Sequence, residues 1–121
     1  MDAKISDTEL EIMKVLWARE KPMTEKEIRA AIEKHFKWKK QTTQTLIRRL
    51  VEKGAIIREK QDVYYHSAAV SQDEVEKTWT VDLLNRVFGG NAKNLVSAML
   101  NHDILSREDL EELKNGWQKG K

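Results

Sequence analysis

Hydrophobic and polar residues in the first third of the chain follow the spacing of two amphipathic helices. Each predicted helix starts with a capping box, in which a hydroxyl and a carboxylate three residues later satisfy backbone donors: Ser6 with Glu9, and Thr24 with Glu27. The first helix is expected to end near Arg19. The predicted buried stripes are Leu10, Met13, Leu16 and Trp17 in the first helix, and Ile28, Ala31 and Ile32 in the second.

The third predicted helix has two chemically different faces. Its apolar stripe recurs every three or four residues and stops before Gly54, which suits the left-handed conformation that often closes a helix. The inward residues are Thr43, Leu46, Ile47, Leu50 and Val51. The opposite face is rich in hydrogen-bond donors, and its residues are Gln41, Thr42, Gln44, Thr45, Arg48, Arg49 and Glu52.

Two segments rich in β-branched and aromatic residues follow, at 55–60 and 63–68, and the polar pair Gln61-Asp62 suits a turn between them. This pattern predicts a β-hairpin. Because a lone hairpin is marginally stable in water, it must lie against the helices. The expected contacts are Ile56, Val63 and Tyr65. Three helices and a two-stranded hairpin, or wing, predict a winged helix–turn–helix domain over residues 1–70.

Residues 71–121 predict three more helices, so the protein is expected to be mainly α-helical. Gly89-Gly90 ends the first of these helices, and Ser106 begins the last. Fifty-one residues without a cysteine make a poor free-standing core, since chains this small usually need cross-links or a partner. We therefore predict a dimerisation domain that buries its apolar stripes against a second copy. The candidate interface residues are Val75, Trp79, Leu83, Leu95, Met99, Leu110 and Leu113.

The net charge of +2 conceals an uneven distribution. Residues 34–60 contain nine basic and two acidic side chains, whereas residues 1–33 and 71–121 are each slightly acidic. A local excess of positive charge favours a polyanion, because neutralising phosphates releases counterions. A solvated lysine-rich face is the alternative interpretation of the charge alone.

The charge maximum coincides with the donor-rich face of the third helix, and together they predict insertion into the major groove of duplex DNA. Glutamine and threonine suit base edges, and arginine suits guanine or phosphate. Lysines before the helix and basic residues of the hairpin are expected to hold the phosphate backbone. The candidate DNA contacts are Lys39, Lys40, Gln41, Thr42, Gln44, Thr45, Arg48, Arg49, Arg58 and Lys60. A protein-interaction adaptor that keeps the fold without binding DNA is the competing hypothesis.

The residues give no support for catalysis. There is no zinc-protease helix motif, phosphate-binding glycine loop or nucleophile elbow, and His35, His66 and His102 are scattered. The absence of cysteine excludes disulfides and thiolate metal sites. We therefore predict neither enzymatic activity nor a metal or cofactor. No apolar run approaches the ~20 residues that span a bilayer, so we expect a cytoplasmic protein without membrane insertion.

Four stretches of the chain resemble the BlaI/MecI family of penicillinase repressors: ISDTELEIM at 5–13, TTQTLIRRL at 42–50, EKG at 52–54 and LSREDLEEL at 105–113. The resemblance implies a dimeric transcriptional repressor of palindromic operators near β-lactamase or resistance genes. It also implies release through a membrane-bound β-lactam sensor with a zinc-protease domain, which leads to cleavage of the repressor in its fifth helix. The cleavage pair of the family, Asn-Phe, falls here on Ala98-Met99.

The chain departs from the family pattern in its recognition helix as well. Gln44 stands where the family has an arginine, and Lys39-Lys40 stands where Ser-Pro is common, so a different operator is expected. A related branch that regulates copper homeostasis carries C-terminal cysteines, and this chain has no cysteine. Control of other genes by a repressor of the same family remains an alternative.

Overall fold

The computed structural model describes residues 4–117, which form six α-helices and three β-strands. The residues 1–3 and 118–121 of the two predicted domains lie outside the described part of the chain. In chain order the elements are α1 (Asp7–Arg19), β1 (Met23–Thr24), α2 (Glu25–Glu33), α3 (Lys40–Glu52), β2 (Ile56–Lys60), β3 (Tyr64–Ala68), α4 (Gln72–Phe88), α5 (Ala92–Asn101) and α6 (Arg107–Gly116).

Both predicted capping boxes are confirmed. The Ser6 hydroxyl accepts a hydrogen bond from the backbone N–H of Glu9 at 3.2 Å, and the Glu9 carboxylate accepts one from the backbone N–H of Ser6 at 2.8 Å. Thr24 and Glu27 repeat this arrangement at the start of α2, with distances of 3.2 and 3.0 Å. These local bonds satisfy donors that the first turn of a helix leaves free, which explains why the two helices begin where the sequence predicts.

The sheet has one strand more than the predicted two-stranded wing. β1 pairs with β3, and β3 pairs with β2, both antiparallel, so the strand order is β1-β3-β2. Met23 lies opposite His66, and Thr24 lies opposite Tyr65. Two residues next to a proline carry no strand periodicity of their own. β1 is therefore formed by its backbone pairing with β3 and not by a strand pattern in its own sequence.

The expected packing of the hairpin is confirmed for Ile56, which is buried, and wrong for Val63. Val63 lies in the turn between β2 and β3, where its carbonyl accepts a hydrogen bond from the Gln61 N–H, and its side chain is 48% exposed. His66 takes the buried place instead, with Nδ1 3.0 Å from the carbonyl oxygen of Met23. Burial, the largest cause, lowers the pKa of His66 and so favours the neutral imidazole.

Residues 4–78 form one compact unit with an apolar core between α1, α2, α3 and the sheet. The boundary to the second unit falls inside α4, between Thr78 and Trp79. Trp17 belongs to the first unit and donates its indole N–H to the carbonyl of Val70 at 3.0 Å. The buried apolar side chains of this unit are Ile5, Ile12, Met13, Leu16, Met23, Ile28, Ile32, Leu46, Ile47, Leu50, Ala55, Ile56 and Val75.

A partly buried ion pair joins the start of α1 to the end of α3. The Glu9 carboxylate, 1% exposed, accepts a hydrogen bond from the Lys53 ammonium as well as from Ser6. The Lys53 ammonium also donates to the carbonyl of Lys4 at 2.8 Å. Burial opposes the charge on Glu9, but the bonds from Lys53 and Ser6 outweigh it and lower the pKa of the carboxyl group. The Glu9 carboxylate thus accepts hydrogen bonds from Ser6 at the start of α1 and from Lys53 at the end of α3.

The second unit lacks a core of its own. None of its described residues, 79–117, is fully buried, and large apolar side chains stand in solvent on all three of its helices. Leu113 is 61% exposed and Trp117 is 70% exposed. Local signals still define its elements, because Gly89 and Gly90 with positive φ follow α4 and a capping box of Ser106 with Asp109 begins α6. The helices form, but their apolar faces are only partly covered within the described part of this unit.

Candidate nucleic-acid interface

The two predicted faces of α3 are present. Thr43, Leu46, Ile47 and Leu50 are buried, and only Val51 of the inward stripe is half-buried. The helix is closed at its C-terminus by Gly54, whose φ of +82° is readily adopted by glycine, and by the bond from the N–H of Ala55 to the carbonyl of Leu50. Packing of the apolar stripe against the rest of the first unit therefore fixes which side chains face outward.

The outward face of α3 presents donors at two levels of exposure. Gln41, Thr42, Arg48 and Arg49 are exposed, whereas Gln44 and Thr45 are half-buried. No acidic residue lies in the first turn of α3, so no side chain of that turn offsets the positive end of the helix dipole. The exposed side chains Lys37, Lys39 and Lys40 lie beside that end. This part of the surface is therefore strongly positive, as a phosphate-binding surface requires.

Gln44 has a partner that the sequence did not predict. Its amide Nε2 donates to the Glu25 carboxylate at 2.8 Å, across 19 residues of sequence. The same carboxylate oxygen accepts a bond from Arg29 Nε at 3.3 Å. Glu25 is the first residue of α2, so this three-residue cluster links the two helices of the helix–turn–helix. Its only sequence signal is the Glu25-to-Arg29 spacing of four residues, which suits an ion pair within a helix.

The link between α2 and α3 contains a stacked aromatic pair. The rings of Phe36 and Trp38 lie 4.8 Å apart with an angle of 26° between their planes, and both side chains are half-buried. The stack holds a segment that has no side-chain cap at its helix N-terminus. The stack gives Trp38 a structural role in this link and leaves the flanking lysines in solvent.

The wing carries a second positive cluster around Tyr64. The Arg58 guanidinium and the Lys60 ammonium lie 4.8 and 4.9 Å from the centre of the Tyr64 ring. Lys60 and Tyr64 are also direct neighbours across the β2–β3 ladder. Tyr64 is exposed, whereas Tyr65 is half-buried, so the two tyrosines take opposite faces as the strand alternation predicts. The cation–π contacts hold both cations outward at the exposed edge of the hairpin.

The candidate dimer residues differ in how much surface they offer. Val75 is buried in the first unit, with 4% exposure, so its side chain has little surface left for a partner. Leu83 and Leu113 are exposed. The remaining candidates are half-buried: Trp79, Leu95, Met99 and Leu110. Ala98 and Met99, the proposed cleavage pair, lie inside α5 and are both half-buried.

Two further features bear on the candidate chemistry. Within residues 4–117, no three His, Cys, Asp or Glu side chains come together as a potential metal site. None of the helices in this described part is both long and apolar enough to cross a bilayer.

The first unit belongs to the winged helix–turn–helix class: α2 and α3 form the helix–turn–helix, and β2 and β3 form the wing. The sequence profile of the penicillinase repressor family matches residues 5–119. The chain therefore belongs to that family, whose members are transcriptional repressors rather than enzymes.

Individual relatives agree with this membership. The chain is 32% identical over 111 residues to the penicillinase repressor of Bacillus licheniformis, covering 91% of this chain and 86% of that protein. It is 30% identical over 113 residues to the penicillinase repressor of Staphylococcus aureus, covering 93% and 89%. The solution structure of monomeric Bacillus licheniformis BlaI in complex with the blaP half-operator matches with a TM-score of 0.54 at 31% identity, over 61% of this chain and 90% of that one.

Proposed function

We propose that this protein is a homodimeric repressor that binds palindromic operator DNA and controls β-lactamase or β-lactam-resistance genes. The observation that carries the proposal is the outward face of α3, where exposed glutamine, threonine and arginine side chains lie beside exposed lysines and no first-turn acid. Its N-terminal part faces bases, and its arginines hold phosphates. The wing cations Arg58 and Lys60 grip the backbone beside the groove.

The experiment for DNA binding is a titration of fluorescent promoter duplexes at 50 and 200 mM salt. If the protein makes six or more phosphate contacts, affinity falls by about a thousandfold or more between these salt concentrations. A promoter fragment should also bind more tightly than a scrambled duplex of the same length and composition. Binding that shows neither a salt slope nor a sequence preference would exclude the repressor function.

The domain arrangement follows the same proposal. Residues 1–70 provide the winged helix–turn–helix, and residues 71–121 provide the dimerisation domain. Support for the dimer comes from residues 79–117, which bury no side chain fully while presenting large apolar residues to solvent. A second copy offers a matching apolar surface, and a two-fold dimer suits a palindromic site. The interface is proposed to consist of Leu83, Trp79, Leu95, Met99, Leu110 and Leu113.

Relief of repression is proposed to occur by cleavage of the Ala98–Met99 bond through the membrane-bound sensor pathway. The bond lies inside α5, so the helix must open locally before a protease can reach its backbone. None of the side chains of α5 is fully buried, so local opening of this helix exposes little additional apolar surface and costs little free energy. A cut there separates the two half-site contacts that the dimer joins, so operator affinity falls.

Cleavage is tested by intact-mass spectrometry of the protein from cells that express the cognate sensor, with and without a β-lactam. We expect two fragments that meet at Ala98–Met99 only in the induced cells. An uncut chain in induced cells that have lifted repression would contradict this route of induction.

A further inference from the structure

The cluster of Glu25, Arg29 and Gln44 places an acidic residue against the proposed base-reading face of α3. Its geometry is specific: Gln44 Nε2 is 2.8 Å from a Glu25 carboxylate oxygen, and Arg29 Nε is 3.3 Å from the same oxygen. An isolated carboxylate at a DNA-binding surface would repel phosphate. The Arg29 guanidinium offsets that charge, so Glu25 can remain beside the nucleic acid.

The chemistry of the cluster determines which way the Gln44 carboxamide points. A carboxylate accepts hydrogen bonds and donates none, so Gln44 must turn its NH₂ group to Glu25 and its carbonyl oxygen Oε1 away. The flipped amide would place two acceptor oxygens against each other. Glu25 therefore orients the carboxamide with its acceptor free and only one of its two N–H groups uncommitted.

We infer that Glu25 is a positioning residue for DNA sequence recognition, which makes Gln44 select adenine in the major groove. Adenine offers both an N6 amino donor to Oε1 and an N7 acceptor to the free N–H, whereas cytosine offers only its N4 amino donor. Guanine and thymine present acceptors at the corresponding atoms and meet the Gln44 oxygen unfavourably. The inference rests on the proposed DNA-binding function and adds the base that one position of α3 reads.

The test starts with the full-length protein and a pool of DNA duplexes that carry a randomised central segment. Selected sequences provide a binding site, and Gln44→Ala identifies the base pair at which Gln44 discriminates. The wild-type protein is then titrated with the four versions of that base pair. We expect adenine to be favoured over guanine by about tenfold, the lower part of the range for a good bidentate contact.

Two variants remove the orienting contact. Glu25→Ala deletes the carboxylate, and the nearly isosteric Glu25→Gln replaces it with a group that donates as well as accepts, so the Gln44 amide can flip. Both substitutions are expected to reduce the tenfold preference for adenine to threefold or less. When the protein already carries Gln44→Ala, adding either substitution should change its adenine-to-guanine affinity ratio no further. The ratio between two duplexes cancels any general gain in affinity from losing a negative charge. A loss of folding stability alone would not change this affinity ratio. If the Glu25→Ala protein does not fold, Glu25→Gln still tests the inference.

Glu33→Ala is the matched control, because Glu33 lies exposed on the same helix and its loss changes the net charge equally. We expect it to keep the base preference. An unchanged preference in both Glu25 variants, guanine as the favoured base, or no discriminating position for Gln44 would overturn the inference while the repressor function stands. Failure of the wild-type protein to bind any duplex in the pool would overturn both.

Discussion

Replacing Arg48 and Arg49 together by glutamate is expected to weaken operator binding by about a hundredfold or more. Each arginine that holds a phosphate contributes a charge-assisted hydrogen bond, with an expected contribution of about 1.5–3 kcal/mol, and each glutamate adds repulsion from the DNA. Both side chains are exposed on α3, so the fold does not depend on them. Fluorescence anisotropy with an operator duplex at fixed salt measures the loss.

The matched control is the pair Lys93→Glu and Arg107→Glu, which makes the same change in net charge at exposed positions of α5 and α6. We expect this control to lose far less affinity, because only long-range, screened electrostatics connect it to the DNA. Equal losses in the two double variants would mean that α3 is not the binding surface. An α3 variant that keeps its cellular activity without DNA binding would favour the adaptor hypothesis.

The second large effect is expected at the dimer. Introducing glutamate at both Leu83 and Leu113 places charges on the two exposed leucines of the proposed interface. A charge buried without a partner is strongly unfavourable, so the protein should sediment as a monomer at micromolar concentration. Affinity for a palindromic duplex should then fall by about 10²–10⁴-fold, because two linked contacts become independent.

A half-site duplex separates loss of dimerisation from loss of DNA contact. The double leucine variant should bind a half-site as well as the wild-type protein does, since neither substitution lies in the first unit. Asn115→Glu provides the control, because it inserts the same side chain at an exposed polar position of α6. A leucine variant that still sediments as a dimer would remove the proposed interface, and a wild-type monomer at this concentration would remove the dimer itself.

Features that depend on neighbouring residues were predictable from the sequence. The capping boxes at Ser6 and Thr24, the glycine that ends α3, and the two faces of α3 all follow from spacings of two to five residues, and each is confirmed. Such signals work because helix ends are satisfied by the residues beside them. The assignment of particular side chains to DNA and to the dimer interface stays a prediction.

Features that depend on tertiary pairing were missed. β1 has two residues and forms only against β3, more than 40 residues away. Burial of His66 in place of Val63 follows from that pairing, because the imidazole reaches the Met23 carbonyl. The sequence pattern places Gln44 on the outward face, but it does not show that Glu25 of the preceding helix binds its side chain. Periodicity assigns a residue to a face, but it does not identify the residue that lies opposite.

The Glu9–Lys53 pair has a consequence for how this protein can change over generations. Losing Lys53 alone would leave the buried Glu9 carboxylate with only its bond from Ser6, and losing Glu9 alone would also remove the cap of α1, so each single change destabilises the fold. Single substitutions at either position should therefore be purged, whereas a paired change is tolerated only where the new residue 9 still accepts a hydrogen bond from the Ser6 N–H. Residues 9 and 53, which lie 44 positions apart, are therefore expected to vary together in descendants of this protein.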